Sequence, residues 1–174
     1  RRELRAFGEQ LAEVGRHAVR AEVAVGCSRA VDDLHAVPLA YEQASRALRI
    51  GRRLHGRAAV SHFDDLGIYR VLTLVEDVDE LASFAVETLG ELASHDATAV
   101  DLRHTLTTLL DTNCNVAEAA RRLHFHYNTL RYRIEKLERI VGPFTSDAMT
   151  RLNTHLALLI VEMHAISGAA RMPA

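Results

Sequence analysis

The chain has no surplus of positive charge. Its 21 lysines and arginines are outnumbered by 23 aspartates and glutamates, a formal net charge of -2 over 174 residues. No overall basic field announces a nucleic-acid partner, so any such partner must be met by a local patch. Cysteine is scarce too. Cys27 and Cys114 lie far apart and form no framework spacing. They read as buried thiols in a reducing cytoplasm, with a single disulfide as the alternative. Long apolar runs are missing: the longest aliphatic stretch, residues 156–161, falls far short of the ~20 residues that span a bilayer. The opening, RRELRAFGEQ, is charged from its first residue and has no apolar signal core. Together these absences lead us to expect a cytoplasmic protein with no membrane partner. There is no initiator methionine either, so we expect a piece of a longer chain.

What is present is enough for a core. Hydrophobic residues make up 48% of the chain, and the length suits one compact domain or two small ones. Leu4, Phe7, Leu11 and Val14 recur at helical spacing and predict a first helix ending near Gly15. AEVAVGCS (21–28) alternates like a strand, with Val23, Val25 and Cys27 on one face. Pro38 suits a helix start, and Leu39, Ala40, Ala44, Ala47 and Leu48 form the apolar stripe of a helix that stops at Gly56. AAVSHF (58–63) reads as a second strand closed by the turn-like DDLG. Two strands alone make a poor sheet, so further strands are expected upstream of Arg1.

From Ile68 onward the pattern is helical. IYRVLTLV is followed by ELASFAVETLGELASH with Asp79 as its expected cap, then by a helix whose Leu102, Leu106, Leu109 and Leu110 share a face. GPF (142–144) is a break. A long last helix follows, capped by Ser146 or Asp147, with Met149, Leu152, Leu156, Leu159 and Met163 as its apolar stripe. The tail SGAARMPA is expected to fray.

The decisive stretch is NVAEAARRLHFHYNTLRYRIEKL (115–137). Val116, Leu123, Leu130 and Leu137 are seven apart and suggest a zipper, but the seam is not sustained in the neighbouring segments. Two helices account for more residues. Asn115 with Glu118 forms a capping-box-like pair, and Val116, Ala119, Ala120 and Leu123 make one short stripe. HFH then breaks helical phase. A second stripe runs through Leu130, Ile134, Leu137 and Val141, capped by His126 or Asn128. Ala119 and Ala120 allow a second helix to cross closely, as a helix-turn-helix requires. Phe125 can plug the corner, His124 stands where such turns often have glycine, and the Leu102 helix supplies a third wall.

The outward face of the second helix suits DNA. Its N-terminal end carries His126, Tyr127, Asn128 and Thr129, with Arg131 and Tyr132 following within a turn. Asn and Arg can read bases bidentately, whereas Arg121, Arg122, Arg133 and Lys136 are placed to hold phosphates. Glu118, Glu135 and Glu138 partly neutralise this face through pairs along the helix. The bland alternative is an ordinary solvated helix face. His124 and His126 with Cys114 lack a second Cys/His pair at zinc-ligand spacing, so no metal or cofactor is expected. His35, His62, Asp64 and Asp65 lie near strand ends but form no nucleophile, base and orienter set, so no catalytic residue is assigned.

NVAEAARRL, HYNTLRYRI and the later RLNTHLAL, in this order and at this separation, resemble the C-terminal DNA-binding domain of the PucR/CdaR family of bacterial transcription regulators, whose helix-turn-helix is related to the Fis type. The resemblance covers about residues 98–165. In one departure, Tyr127 stands where the family commonly has a basic residue, which leaves any phosphate contact there to the phenol hydroxyl. VAVG, the spacing of Ala44, Arg46, Ala47 and Leu48, and DDLGIYR look like the end of the GGDEF-like domain that precedes the DNA-binding domain in these regulators. No Gly-Gly-Asp/Glu-Glu-Phe string occurs, so nothing supports diguanylate cyclase chemistry. The resemblance implies an α+β, mainly α-helical chain. Residues 1–66 would be the C-terminal part of a degenerate GGDEF-like α/β module, and residues 67–174 an all-α helix-turn-helix domain. It implies a non-enzymatic, sequence-specific regulator acting as a homodimer on a double-stranded operator, with any small-molecule effector sensed upstream of Arg1. The alternative is a dimerisation or protein-interaction module whose helix-turn-helix no longer binds DNA.

Overall fold

The computed structural model describes residues 2–169, with side chains for residues 3–163. By compactness the chain divides into two units, one running to Glu76 and taking in the residues from Ala165 on, the other comprising Asp77–His164.

The first unit is built as helix, strand, helix, strand: α1 (Arg2–Val19), β1 (Val25–Cys27), α2 (Val37–His55) and β2 (Val60–His62), with a short α3 (Tyr69–Leu72). The strands pair in parallel, Val25 opposite Val60 and Cys27 opposite His62. Parallel strands need a crossover, and α2 supplies it. The two faces of the sheet carry one helix each, and small residues set the approach. On one face, a Cβ on Gly26 would lie 2.2 Å from the Ala44 carbonyl oxygen, and one on Gly51 only 1.8 Å from Ser61 Oγ. On the other, a Cβ on Gly8 would meet Cys27 Sγ at 2.8 Å and Val60 Cγ1 at 3.1 Å. Beyond β2, Phe63 and Leu66 pack on Ala47 and Ile50.

This packing corrects the reading of α1. The helix does not stop at Gly15 but continues to Val19. Its buried positions are Gly8 and Ala12, with Gly15 seated against Val23, whereas Phe7, Leu11 and Val14 are exposed. Gly15 is there for close approach, not for termination. The strands are three residues each, shorter than the alternation suggests, and Leu39 of the expected α2 stripe is exposed while Ile50 takes its place in the core.

The second unit is helical: α4 (Val78–Leu89), α5 (Ala97–Asp111), α6 (Val116–Leu123), α7 (Tyr127–Val141) and, as far as His164, α8 (Ala148–Ala169). Asp77, not Asp79, caps α4, accepting from the Glu80 amide at 3.0 Å. The helix begins at Val78, so Asp79 falls in its first turn, where a carboxylate suits the macrodipole. Gly90 (φ 53°) then ends it, and residues 90–93 continue as a 3-10 turn. Asp96 caps α5, and Asp147 caps α8 through the Thr150 amide at 2.6 Å. Leu89, Leu92, Leu106, Leu109, Leu130, Leu137, Phe144 and Ile160 are fully buried and form the core of this unit.

The expected stripe of α8 is corrected as well. Met149 and Leu152 are exposed, Leu156 and Leu159 half-buried, and the buried residues are Thr154, Ala157, Leu158, Ile160 and Met163. Residues 156–161 are apolar on every side of the helix and so carry no phase. Helix α8 reaches Ala169 within the tail expected to fray, and residues 170–174 lie outside the described residues. No helix of the described residues is long and apolar enough to cross a membrane.

Candidate nucleic-acid interface

The two short stripes of residues 115–141 fold as two helices. Asn115 takes extended backbone and its side-chain oxygen accepts from the Glu118 amide at 3.1 Å, which starts α6. Only half of a capping box forms, because the Glu118 carboxylate is held elsewhere. It accepts from Arg122 Nε at 2.9 Å and from Arg121 Nη2 at 2.8 Å. These hydrogen bonds, Arg122's before Arg121's, hold the Glu118 carboxyl below its ordinary range.

Helix α6 ends at His124, which is left-handed (φ 55°, ψ 35°). The Phe125 amide reaches back to the Ala120 carbonyl at 2.9 Å, closing the turn as a Schellman motif with histidine in the place glycine usually takes. His126 begins α7 on extended backbone without a side-chain cap bond. Ala119 and Ala120 of α6, Leu130, Ile134, Leu137 and Val141 of α7 and Leu102, Leu106 and Leu109 of α5 are buried, and the three helices pack on one another. The three helices therefore form the expected trihelical core.

That core leaves the other side of α7 outward. His126, Tyr127, Asn128, Thr129, Arg131 and Tyr132 are all exposed, Tyr132 by 67%. At 3.6 residues per turn, Asn128 and Tyr132 point directly away from the core stripe; Thr129 and Lys136 lie on one flank and Tyr127 and Arg131 on the other. The Lys136 flank borders an open cleft of about 560 Å³, lined by Thr98, Asp101 and Leu102 from α5 and by Asn128, Thr129, Tyr132, Arg133 and Lys136 from α7. Arg121 and Arg122 are exposed at the end of α6, in contact with Glu118.

Arg133 is placed differently from the other expected phosphate-holding cations. Its guanidinium turns toward α5, donating to Asp101 Oδ2 at 2.5 Å and to Thr105 Oγ1 at 2.7 Å. It also lies 4.6 Å from the centroid of the Phe125 ring. Asp101 and Thr105 went unread in the sequence. Their only signal is a polar pair four residues apart beside the leucine face of α5. Glu138 also departs from the expected charge pairing: it accepts from the backbone amide and hydroxyl of Thr145.

The polar residues near the strand ends of the first unit are tied into local structure. His62 is buried and its Nδ1 accepts from the Asp64 amide at 3.2 Å; Asp64 pairs with Arg29 at 2.6 Å, and Asp65 pairs with Arg5. Cys27 and Cys114 are free thiols, each half-buried, and burial pushes both upward in pKa.

Comparison with known proteins bears on the helical part most directly. Residues 102–160 match the PucR C-terminal helix-turn-helix domain. The purine catabolism regulatory protein of Bacillus subtilis (strain 168) is 35% identical over 136 residues, which cover 78% of this chain and 25% of that protein. The proline-responsive transcriptional activator PutR of the same organism is 34% identical over 98 residues, 56% of this chain and 24% of its own. An uncharacterised protein of Haemophilus influenzae is 28% identical over 141 residues, 80% of this chain and 37% of its own. The chain thus spans about a quarter of the length of the two named relatives. No solved structure matches. Residues 102–160, with Asn115 opening the first helix of the pair and Leu130, Ile134 and Leu137 seating the second, are thus similar to the PucR C-terminal helix-turn-helix domain.

Proposed function

We propose that this chain is the DNA-binding end of a sequence-specific transcription regulator, with α7 as its recognition helix in the major groove. One observation carries the reading: the apolar side of α7 is locked into the trihelical core while Tyr127, Asn128 and Thr129 at its N-terminal end stay exposed. Such helices contact base edges mainly with N-terminal residues. Asn128 suits adenine and Arg131 suits guanine, each a bidentate pair, while Tyr127, Thr129 and Tyr132 add contacts around them and His126 opens the helix. Arg121, Arg122 and Lys136 are the phosphate-holding cations. The names of two relatives, a regulatory protein and a transcriptional activator, support the reading.

In this reading the first unit is the end of a GGDEF-like module, kept for structure and without cyclase chemistry. The protein works in the cytoplasm as a homodimer that presents two recognition helices to a two-part operator, and an effector acts through a region outside this chain. Selection of binding sites from a pool of random duplexes tests it. The pool should converge on one motif, and affinity for that motif should fall linearly with salt on logarithmic axes. A pool that never converges would instead favour an interaction module that has lost DNA binding.

A further inference from the structure

Resting on that reading, we propose that Arg133 is a positioning residue that fixes the rotation of the recognition helix, with Asp101 as its partner, and is not a phosphate contact. The guanidinium is held by three residues at once: Asp101 and Thr105 of α5 take its two Nη donors, and Phe125 of the turn covers its face. Thr105 is 1% exposed and donates its own hydroxyl to the Asp101 carbonyl at 3.1 Å, which leaves its oxygen free to accept from Arg133. The Arg133 side chain is only 25% exposed. A planar fork that bonds along its edge and stacks by its face can make all three contacts, whereas an ammonium cannot.

The place of this clasp gives it a consequence for recognition. Arg133 follows Thr129 by four residues and precedes Lys136 by three, so all three lie along the flank of α7 that borders the cleft. Rotating α7 about its axis would break the clasp and swing Asn128 and Thr129 away from their setting together. The pair also cancels the Asp101 charge, which stands at the rim where phosphates would pass.

Asp101→Asn separates this role from simple charge. Removing an acidic group beside a DNA-facing cleft should, on charge alone, tighten binding to every duplex. The positioning role predicts the reverse for the selected site. Its affinity should fall by about tenfold, the scale of one lost base contact, while affinity for random duplex holds or rises. Arg133→Lys keeps the charge but not the fork, and should lose selectivity to a similar degree with an unchanged salt slope. Both variants of the full chain would be measured below their unfolding transitions, followed by circular dichroism. Equal tightening on both duplexes by Asp101→Asn, or parental selectivity in Arg133→Lys, would overturn the proposal while leaving the DNA-binding reading intact. A parent chain that does not distinguish its selected site from random duplex would overturn both.

Discussion

His124 sits in a left-handed conformation (φ 55°, ψ 35°), where the Cβ of an L residue crowds the following carbonyl. Its side chain is exposed, so nothing in the core requires it. His124→Gly should therefore raise stability by about 0.5–1 kcal/mol, the relief of strain exceeding the added entropy of the unfolded chain; a denaturant midpoint that falls would contradict this. Arg131 and Lys136 should separate by function. Arg131→Ala should relax preference at one base position while sparing random duplex. Lys136→Ala should weaken binding to all sequences alike and flatten the salt slope by about one unit. Competition titrations against single-base variants of the selected site, at several salt concentrations, would check both. The exposed Arg131 was readable from the sequence because the apolar stripe of α7 is short and unambiguous. The inward turn of Arg133 was not, because its partner Asp101 is 32 residues away on another helix.

Four helices of the second unit, α4, α5, α6 and α8, carry carboxylates at or near their starts. Asp96 is held below its ordinary range first by the Ser94 hydroxyl and then by the Ala99 amide, and Asp147 by the amide and hydroxyl of Thr150. Glu118, in the first turn of α6, is likewise lowered by Arg122 and Arg121. A depressed carboxyl contributes stability that is fully present above its unfolded pKa and is lost as pH falls through the folded one. The thermal midpoint of this unit should thus be flat near neutrality and drop once pH falls below the ordinary carboxylate range; a midpoint that rises on acidification would contradict the account. Elements were legible where phase and punctuation agreed. In α6 and α7 two stripes, an Asn cap and a phase break coincide, and both helices stand where the residues place them. In α1 the larger apolar residues suggested the buried side, but the sheet is approached through Gly8, Ala12 and Gly15, since only small residues let the helix lie close. In α8 the aliphatic run conceals its own buried side.

At the scale of the molecule, two copies sit on a two-part operator in the proposed reading. The two-stranded sheet of the first unit has unpaired outer edges among the described residues, and such edges invite pairing; Met149 and Leu152 are exposed on α8. We expect light scattering to report a dimer. A strict monomer at high concentration that bound a single half-site with full affinity would count against it. The central claim, that α7 reads the major groove, is tested most directly by methylation interference on the selected duplex. Guanine N7 faces the major groove and adenine N3 the minor. The full chain should be excluded from duplexes methylated at N7 of guanines within the motif and bind normally when adenines there carry methyl groups at N3. Interference confined to adenine N3, with guanine N7 methylation tolerated throughout the motif, would contradict it.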